Sequence, residues 1–212
     1  MKFENRQQAG KRLAQALMAW HGRKDLLVLA LPRGGVPVAA EVAKALQAPL
    51  DVVVVRKLGH PGQEEFAMGA IASGGVQVMS DVAGGWPVSE QAVRTAVQRE
   101  TAELLRREQA YRGHRSPPQV KDEVVILVDD GLATGATMRA AVQSVRARQP
   151  ARVVVAVPVA SSSALASVGS VADEVVCLQT PEPFHAVGLW YRDFDQTSDE
   201  EVMRLLKGAG AT

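Results

Sequence analysis

A chain of 212 residues, 47% of them apolar, is long enough for one generous domain, or one domain with an appended lobe, around a large core. Aromatics at 4% make that core aliphatic, and a formal charge of +1 argues against a general nucleic-acid binder or a polybasic membrane surface. The single cysteine, Cys177, precludes an intrachain disulfide and suits a reducing compartment. MKFENRQQAGKRLAQAL carries no apolar signal core and no run approaches ~20 apolar residues, so the expected location is the cytoplasm.

The first element is a helix with Asn5 as N-cap and a stripe of Ala9, Leu13, Ala16, Leu17 and Trp20. LLVLAL (Leu26–Leu31) is a continuous apolar run, as a strand covered on both faces requires. After PRGGVP, the spacing of Val38, Val42, Ala45 and Leu46 predicts a helix, and LDVVVV (Leu50–Val55) a second buried strand closed by Arg56 and Lys57. Glycine and charge dominate KLGHPGQEEF, which reads as a mobile loop, with two short strands following around Ser73–Gly75. Ser89 caps a long charged helix to about Arg112, with Val93, Val97, Leu104 and Glu108 on one side, until HRSPPQ breaks the pattern. Then come the strand VVILV, a helix to about Arg148, the strand ARVVVAVPVA, a small helix near Ser162–Val168 and the strand EVVCLQ with Cys177 buried. An aromatic cluster (Phe184, Trp190, Tyr191, Phe194) precedes a last helix from Ser198, whose Glu201 completes a capping box.

Strands alternating with helices predict an α/β fold with a doubly wound, mostly parallel sheet, whose ligands lie at the C-terminal strand ends. Chemically suggestive residues sit at four such ends: Arg33, Arg56/Lys57, Asp129/Asp130 and the stretch after Leu178. No internal repeat or interdomain linker interrupts residues 1–212, which read as a single domain. No pair of histidines or cysteines has metal-ligand spacing.

The richest stretch is VVILVDDGLATGAT, Val124–Thr137. An apolar strand ends abruptly in Asp129 and Asp130, and Thr134, Gly135 and Thr137 open a helix. Free N–H groups at a helix start, with hydroxyls beside them, form a phosphate cradle. Two acids one turn away suit a sugar diol or a hydrated Mg²⁺. In Leu31-Pro32-Arg33-Gly34-Gly35, two glycines let the backbone approach an anion and Arg33 can fork onto it. Neither GxGxxG nor GxxxxGK[ST] occurs.

Val124–Thr137 closely resembles the phosphoribosyl-pyrophosphate (PRPP) motif of the type I phosphoribosyltransferases. The resemblance implies that Asp129 and Asp130 bind the ribose 2′- and 3′-hydroxyls while Ala133, Thr134, Gly135, Ala136 and Thr137 wrap the 5′-phosphate, with Gly131 also among the substrate-binding residues. It makes Arg33, Gly34 and Gly35 the pyrophosphate loop, with a cis Pro32–Arg33 peptide. Arg56-Lys57 is similar to the adenine-type enzymes, where two cations face the departing pyrophosphate before a flexible catalytic loop, here about residues 59–75. Glu65-Phe66 falls where those enzymes place Glu-Tyr, so Glu65 is a candidate acid/base beside Asp129, Asp130 and Arg33. A hood-like segment, about residues 181–198, would offer Trp190 and Tyr191 to a flat acceptor. Ala133 departs from the hypoxanthine/guanine branch, which carries an acid there. The implied reaction is transfer of 5-phosphoribose from Mg²⁺-PRPP to a nitrogenous base or other nitrogen nucleophile, releasing pyrophosphate. Mg²⁺ would come with PRPP and reach Asp129 and Asp130 through water, with no tightly bound metal. Small molecules are the expected partners, without nucleic acid or membrane. Dimers are frequent among such proteins, and the Ser89–Arg112 helix offers a contact surface. The rival reading is a PRPP- or nucleotide-sensing regulator that kept the cradle but not the transfer.

Overall fold

The computed structural model describes residues 1–60, 63–79, 89–113 and 115–208. Its centre is a parallel sheet of β1 (Leu26–Ala30), β2 (Leu50–Val52), β6 (Val124–Val128), β7 (Arg152–Val159) and β8 (Glu174–Gln179), in the spatial order β2-β1-β6-β7-β8. β1 and β6 run in register from Leu26↔Val124 to Ala30↔Val128. Every residue of both strands is buried, which is why each reads as an unbroken apolar run.

Alternate side chains leave opposite faces of the sheet. Leu26, Val28, Ala30, Val124, Ile126 and Val128 pack with Leu13 of α1 (Arg6–Ala16), Val38 and Val42 of α2 (Gly35–Leu46) and Val202 of α6 (Asp199–Gly208). Leu27, Leu29, Val125 and Leu127 pack with Met138 and Val142 of α4 (Ala136–Arg146) and Ala164 of α5 (Ser162–Gly169). Each fully buried Val or Leu contributes roughly 1.5–3 kcal/mol, so these two layers fix the sheet. The doubly wound expectation holds. Because the chain turns one way from β1 to β2 and the other way to β6, their C-terminal ends flank the switch point of the sheet.

A second, antiparallel sheet of β3 (Val55–His60), β4 (Gln63–Ala72) and β5 (Val76–Met79) corrects two expectations. The run Leu50–Val55 is not one strand. Val53 N–H still reaches the Ala30 carbonyl (3.0 Å), but Val54 N–H turns to the Ser73 hydroxyl (2.8 Å), and Ser73 N–H returns to the Val54 carbonyl (2.9 Å). Arg56 and Lys57 therefore lie within a strand of the small sheet rather than closing a core strand. Residues expected as a loop after Gly59 pair instead as β3 and β4, with register shifts between Leu58 and His60. Leu58 and Ile71 bury fully there, and that burial outweighs the local glycines and charges. Pro61 and Gly62 lie outside the described residues. The hairpin around Ser73–Gly75 forms as expected, with Gly74 and Gly75 at positive φ (85° and 77°).

Helix α3 (Glu90–Arg112) is capped by Ser89, yet its inward face holds Glu100 and Arg112 as well as Ala96, Leu104 and Tyr111. Arg112 Nε donates to Asp51 Oδ1 (3.0 Å) and its Nη2 to the Val52 carbonyl, tying the helix to β2. Breaking such a buried pair from one side leaves a charge without compensation. We expect Arg112→Met to destabilise the fold by about 3–5 kcal/mol, read from urea unfolding midpoints. A variant as stable as the parent would show that this pair does not hold β2 in place.

Candidate functional site

The candidate site grows from the adjacent ends of β1 and β6. Leu31 N–H bonds the Val128 carbonyl (2.9 Å), carrying the ladder one residue past β1 before the chain turns through Pro32–Gly35. The Pro32–Arg33 peptide is cis, as expected. Gly34 and Gly35 then press against the two acids. A Cβ on Gly34 would lie 2.1 Å from Asp130 Oδ2, and one on Gly35 would lie 2.7 Å from the Val128 carbonyl and 3.0 Å from Asp129 Cα. Only glycine lets these backbones approach so closely. The loop after β1 and the acids after β6 thus share one rim.

Asp129 Oδ1 accepts a hydrogen bond from Asp130 N–H (2.8 Å). Burial pushes the Asp129 carboxyl well above its ordinary range, and the neighbouring Asp130 charge pushes it further. Burial also raises Asp130, but Arg6 opposes the shift. Arg6 Nε donates to Asp130 Oδ2 (2.8 Å), its Nη1 donates to the Asp195 carbonyl (2.7 Å), and its guanidinium lies 3.8 Å from the Phe194 ring centre. Tyr191, buried against Phe3 and Phe194, donates its hydroxyl to the Asp130 carbonyl (2.6 Å). Its phenol is pushed up by burial and then by the Asp130 charge, so it stays a donor.

Past the acids, Gly131 fits under the segment after β8, where a Cβ would meet Val187 Cγ1 at 2.6 Å. Leu132 N–H bonds the Val159 carbonyl (2.9 Å), and Ser161 Oγ donates to the Ala133 carbonyl (2.7 Å), fixing both ends of the loop against β7 and α5. Gly135 (φ 77°) then opens α4, with exposed Ala133, Thr134 and Ala136 around it. Asn5, Ser89 and Ser161 cap α1, α3 and α5 with side-chain acceptors, and Ser198 Oγ accepts from Glu201 N–H (3.1 Å) at α6. α2 and α4 start instead at Gly34 and Gly135, which have no side chain to cap them; Gly35 and Val36 N–H bond the Leu31 and Arg33 carbonyls (3.0 and 3.1 Å), and Ala136 N–H reaches the Thr134 hydroxyl (3.4 Å). Two helices thus begin, with their positive dipole ends, in the loops that follow β1 and β6.

The remaining expected residues are placed differently. Arg33 Nη1 stands 3.8 Å from Asp199 Oδ1, at the start of α6, and that carboxylate also accepts from Tyr111 (2.8 Å). Arg56 is paired with buried Glu100 (2.7 Å), while Lys57 is exposed. Glu65 lies in β4, and its side chain is outside the described residues. Tyr191 belongs to the packed core rather than to an open wall, whereas half-buried Trp190 stacks on Phe184 (centres 6.5 Å apart). Among the described residues no group of three or more His, Cys, Asp or Glu is placed to hold a metal. Arg6, Tyr111 and Asp199 escaped the sequence reading, because nothing in local periodicity links Arg6 to an acid 124 positions away.

A family model described as the phosphoribosyl transferase domain matches residues 2–189. Over 208 residues the chain is 49% identical to a Mycobacterium tuberculosis protein (strain H37Rv) named "Putative phosphoribosyl transferase", covering 98% of this chain and 47% of that protein. The chain thus spans about half the length of the curated relatives it matches. Among solved structures, TT1426 from Thermus thermophilus matches with a TM-score of 0.84 at 45% identity, covering 97% of this chain and 98% of that one. A Neisseria gonorrhoeae protein solved with bound ppGpp shares the fold at 15% identity and a TM-score of 0.50, with 98% of each chain covered. With the motif, the switch-point geometry and these likenesses in agreement, the chain belongs to the phosphoribosyl transferase family.

Proposed function

We propose that this chain transfers 5-phosphoribose from PRPP to a nitrogen nucleophile and releases pyrophosphate. One observation carries the reading: the glycine loop after β1 presses on Asp129 and Asp130, and the Thr-Gly loop that follows these acids opens α4, so two helix dipoles and a carboxylate pair share neighbouring strand ends. That order of groups suits a ligand with phosphates at both ends and a diol between.

In the reaction the bond from ribose C1 to pyrophosphate breaks, the electron pair leaves with pyrophosphate, and the acceptor nitrogen bonds to C1. The amides and hydroxyls of Ala133–Thr137 anchor the 5′-phosphate, and Asp129 and Asp130 accept the ribose hydroxyls and face the positive character developing at C1. Arg33 and the Gly34 amide take the charge growing on the leaving group, the Gly35 amide being bonded to the Leu31 carbonyl (3.0 Å); the long Arg33–Asp199 pair leaves that guanidinium easy to recruit. Lys57 and Glu65, carried on the small sheet, are the further candidates for leaving-group and proton chemistry. Asp129 and Asp130, two crowded carboxylates with raised proton affinity, would hold Mg²⁺ arriving with PRPP through its water shell, and the ion would supply charge neutralisation to the pyrophosphate. Ala133 has no proton to give an acceptor, and the stacked Phe184 and Trp190 offer a flat apolar face to a planar base.

Asp129→Asn together with Asp130→Asn is expected to lower PRPP turnover on the order of 10³-fold with an unchanged circular dichroism spectrum. The assay is pyrophosphate release with PRPP, Mg²⁺ and a panel of bases. Undiminished turnover by the double variant would remove the acids from the mechanism. Saturable PRPP binding without release across the panel would favour a sensor on this fold, a use in keeping with the ppGpp held by the Neisseria gonorrhoeae protein.

The same acids set a stability cost. A raised carboxyl binds its proton more tightly in the folded than in the unfolded chain, so folding stability falls as the pH rises through the folded value. Asp129→Asn alone keeps the Oδ1 acceptor and removes the charge. Its Tm at pH 8 is expected above that of the parent, by about 2–4 °C for each ~1 kcal/mol relieved. The gap should close on acidification towards pH ~4, the ordinary carboxylate range. A variant with a lower Tm at pH 8 would refute the cost.

A further inference from the structure

We propose that Arg6 is a positioning residue for Asp130, and that the N-terminal and C-terminal segments jointly set the orientation of that carboxylate. The inference deepens the proposed function and rests on it for its meaning in catalysis, though not for its structural test.

Arg6 is the first residue of α1, where the helix dipole disfavours a cation. Its placement is explained by what it reaches. Nε donates to Asp130 Oδ2 at 2.8 Å, with only 12% and 14% of the two side chains exposed. Asp130 Oδ1 has no hydrogen bond among the described residues and is the oxygen left for a ribose hydroxyl. Arg6 is itself fixed from the C-terminal side, by the Phe194 ring at 3.8 Å and the Asp195 carbonyl at 2.7 Å. The Phe194 ring in turn lies against Gly188, where a Cβ would meet it at 2.7 Å. From the N-terminal side, α1 sits close on α2 because Gly10 has no side chain; a Cβ there would lie 2.6 Å from the Val38 carbonyl. Phe3 and Tyr191 pair, and Phe3 N–H bonds the Trp190 carbonyl (2.8 Å), so the two segments form one brace. Around Asp130 the charged or titratable groups are then Arg6 from α1, Asp129 on its own strand end and Tyr191 from the C-terminal segment, while Arg33 in the facing loop is drawn to Asp199.

The test is a double-mutant cycle between Arg6→Gln and Asp130→Asn, with Arg6→Lys as the conservative variant. Binding of Mg²⁺-PRPP is measured by calorimetry, which needs no acceptor, and thermal melts are recorded without PRPP. Arg6→Gln is expected to weaken binding about tenfold, the scale of one charge-assisted hydrogen bond, and Arg6→Lys less. Added to Asp130→Asn, Arg6→Gln should weaken binding no further, and the two changes in Tm should not add. Parent-like binding by Arg6→Gln, or losses that multiply, would overturn the assignment. A parent chain that binds no PRPP would refute the proposed function instead. Non-additive melts would still support the Arg6–Asp130 coupling in that case, and additive melts would sink it.

Discussion

Two carboxylates held side by side against glycine backbone are the constraint around which the rest of the molecule is arranged. Desolvation and mutual repulsion both oppose ionisation of Asp129, so the pair persists only because its surroundings leave it nowhere else to go. β6 is pinned by parallel neighbours on both edges and buried on both faces. Gly34 and Gly35 close over the acids from β1 with no room for a methyl group. A site of this kind trades stability for a preset geometry, and the aliphatic core supplies the margin.

Charge at the rim is balanced by partners drawn from the ends of the chain and from the lobe over the sheet. Asp130 has Arg6, Arg33 has Asp199, and Arg56 has Glu100. These pairs differ in tightness. The first and third are short and largely sheltered, and the second is 3.8 Å long and partly exposed. An incoming anion would therefore recruit Arg33 more readily than Arg56, whose departure would leave Glu100 buried alone. Through Glu100, Arg56 braces the small sheet against α3.

What the sequence disclosed follows from which signals are local. Strands covered on both faces must be apolar throughout, so β1 and β6 were legible to within a residue, as were the caps Asn5 and Ser89. The acids and the Thr-Gly loop were legible because a charged strand end followed by a helix start is written in consecutive residues. The break within Leu50–Val55 was not, because the deciding partner is Ser73, whose hydroxyl takes the Val54 amide. The pairing of β3 with β4 depends on Leu58 and Ile71 finding burial under α3 and α4, which glycine and charge content hid. The Arg56–Glu100 pair was hidden for a similar reason: Glu100 looks like one more polar residue on a charged helix until its neighbours are in place.

The segment after β8 serves as both cover and brace, which bears on how an acceptor would be read. Val187 lies where a side chain on Gly131 would be, one residue beyond the acids, and Tyr191 holds the Asp130 carbonyl. Between them, Trp190 stacks on Phe184 while its indole N–H has no partner among the described residues. Packing on one side of this segment thus fixes the paired acids, and its other aromatic pair takes no part in that packing. Substitutions at Phe184 or Trp190 should therefore act on acceptor choice, whereas those at Tyr191 or Val187 should act through Asp130 on the sugar, although all four lie within eight residues of one another.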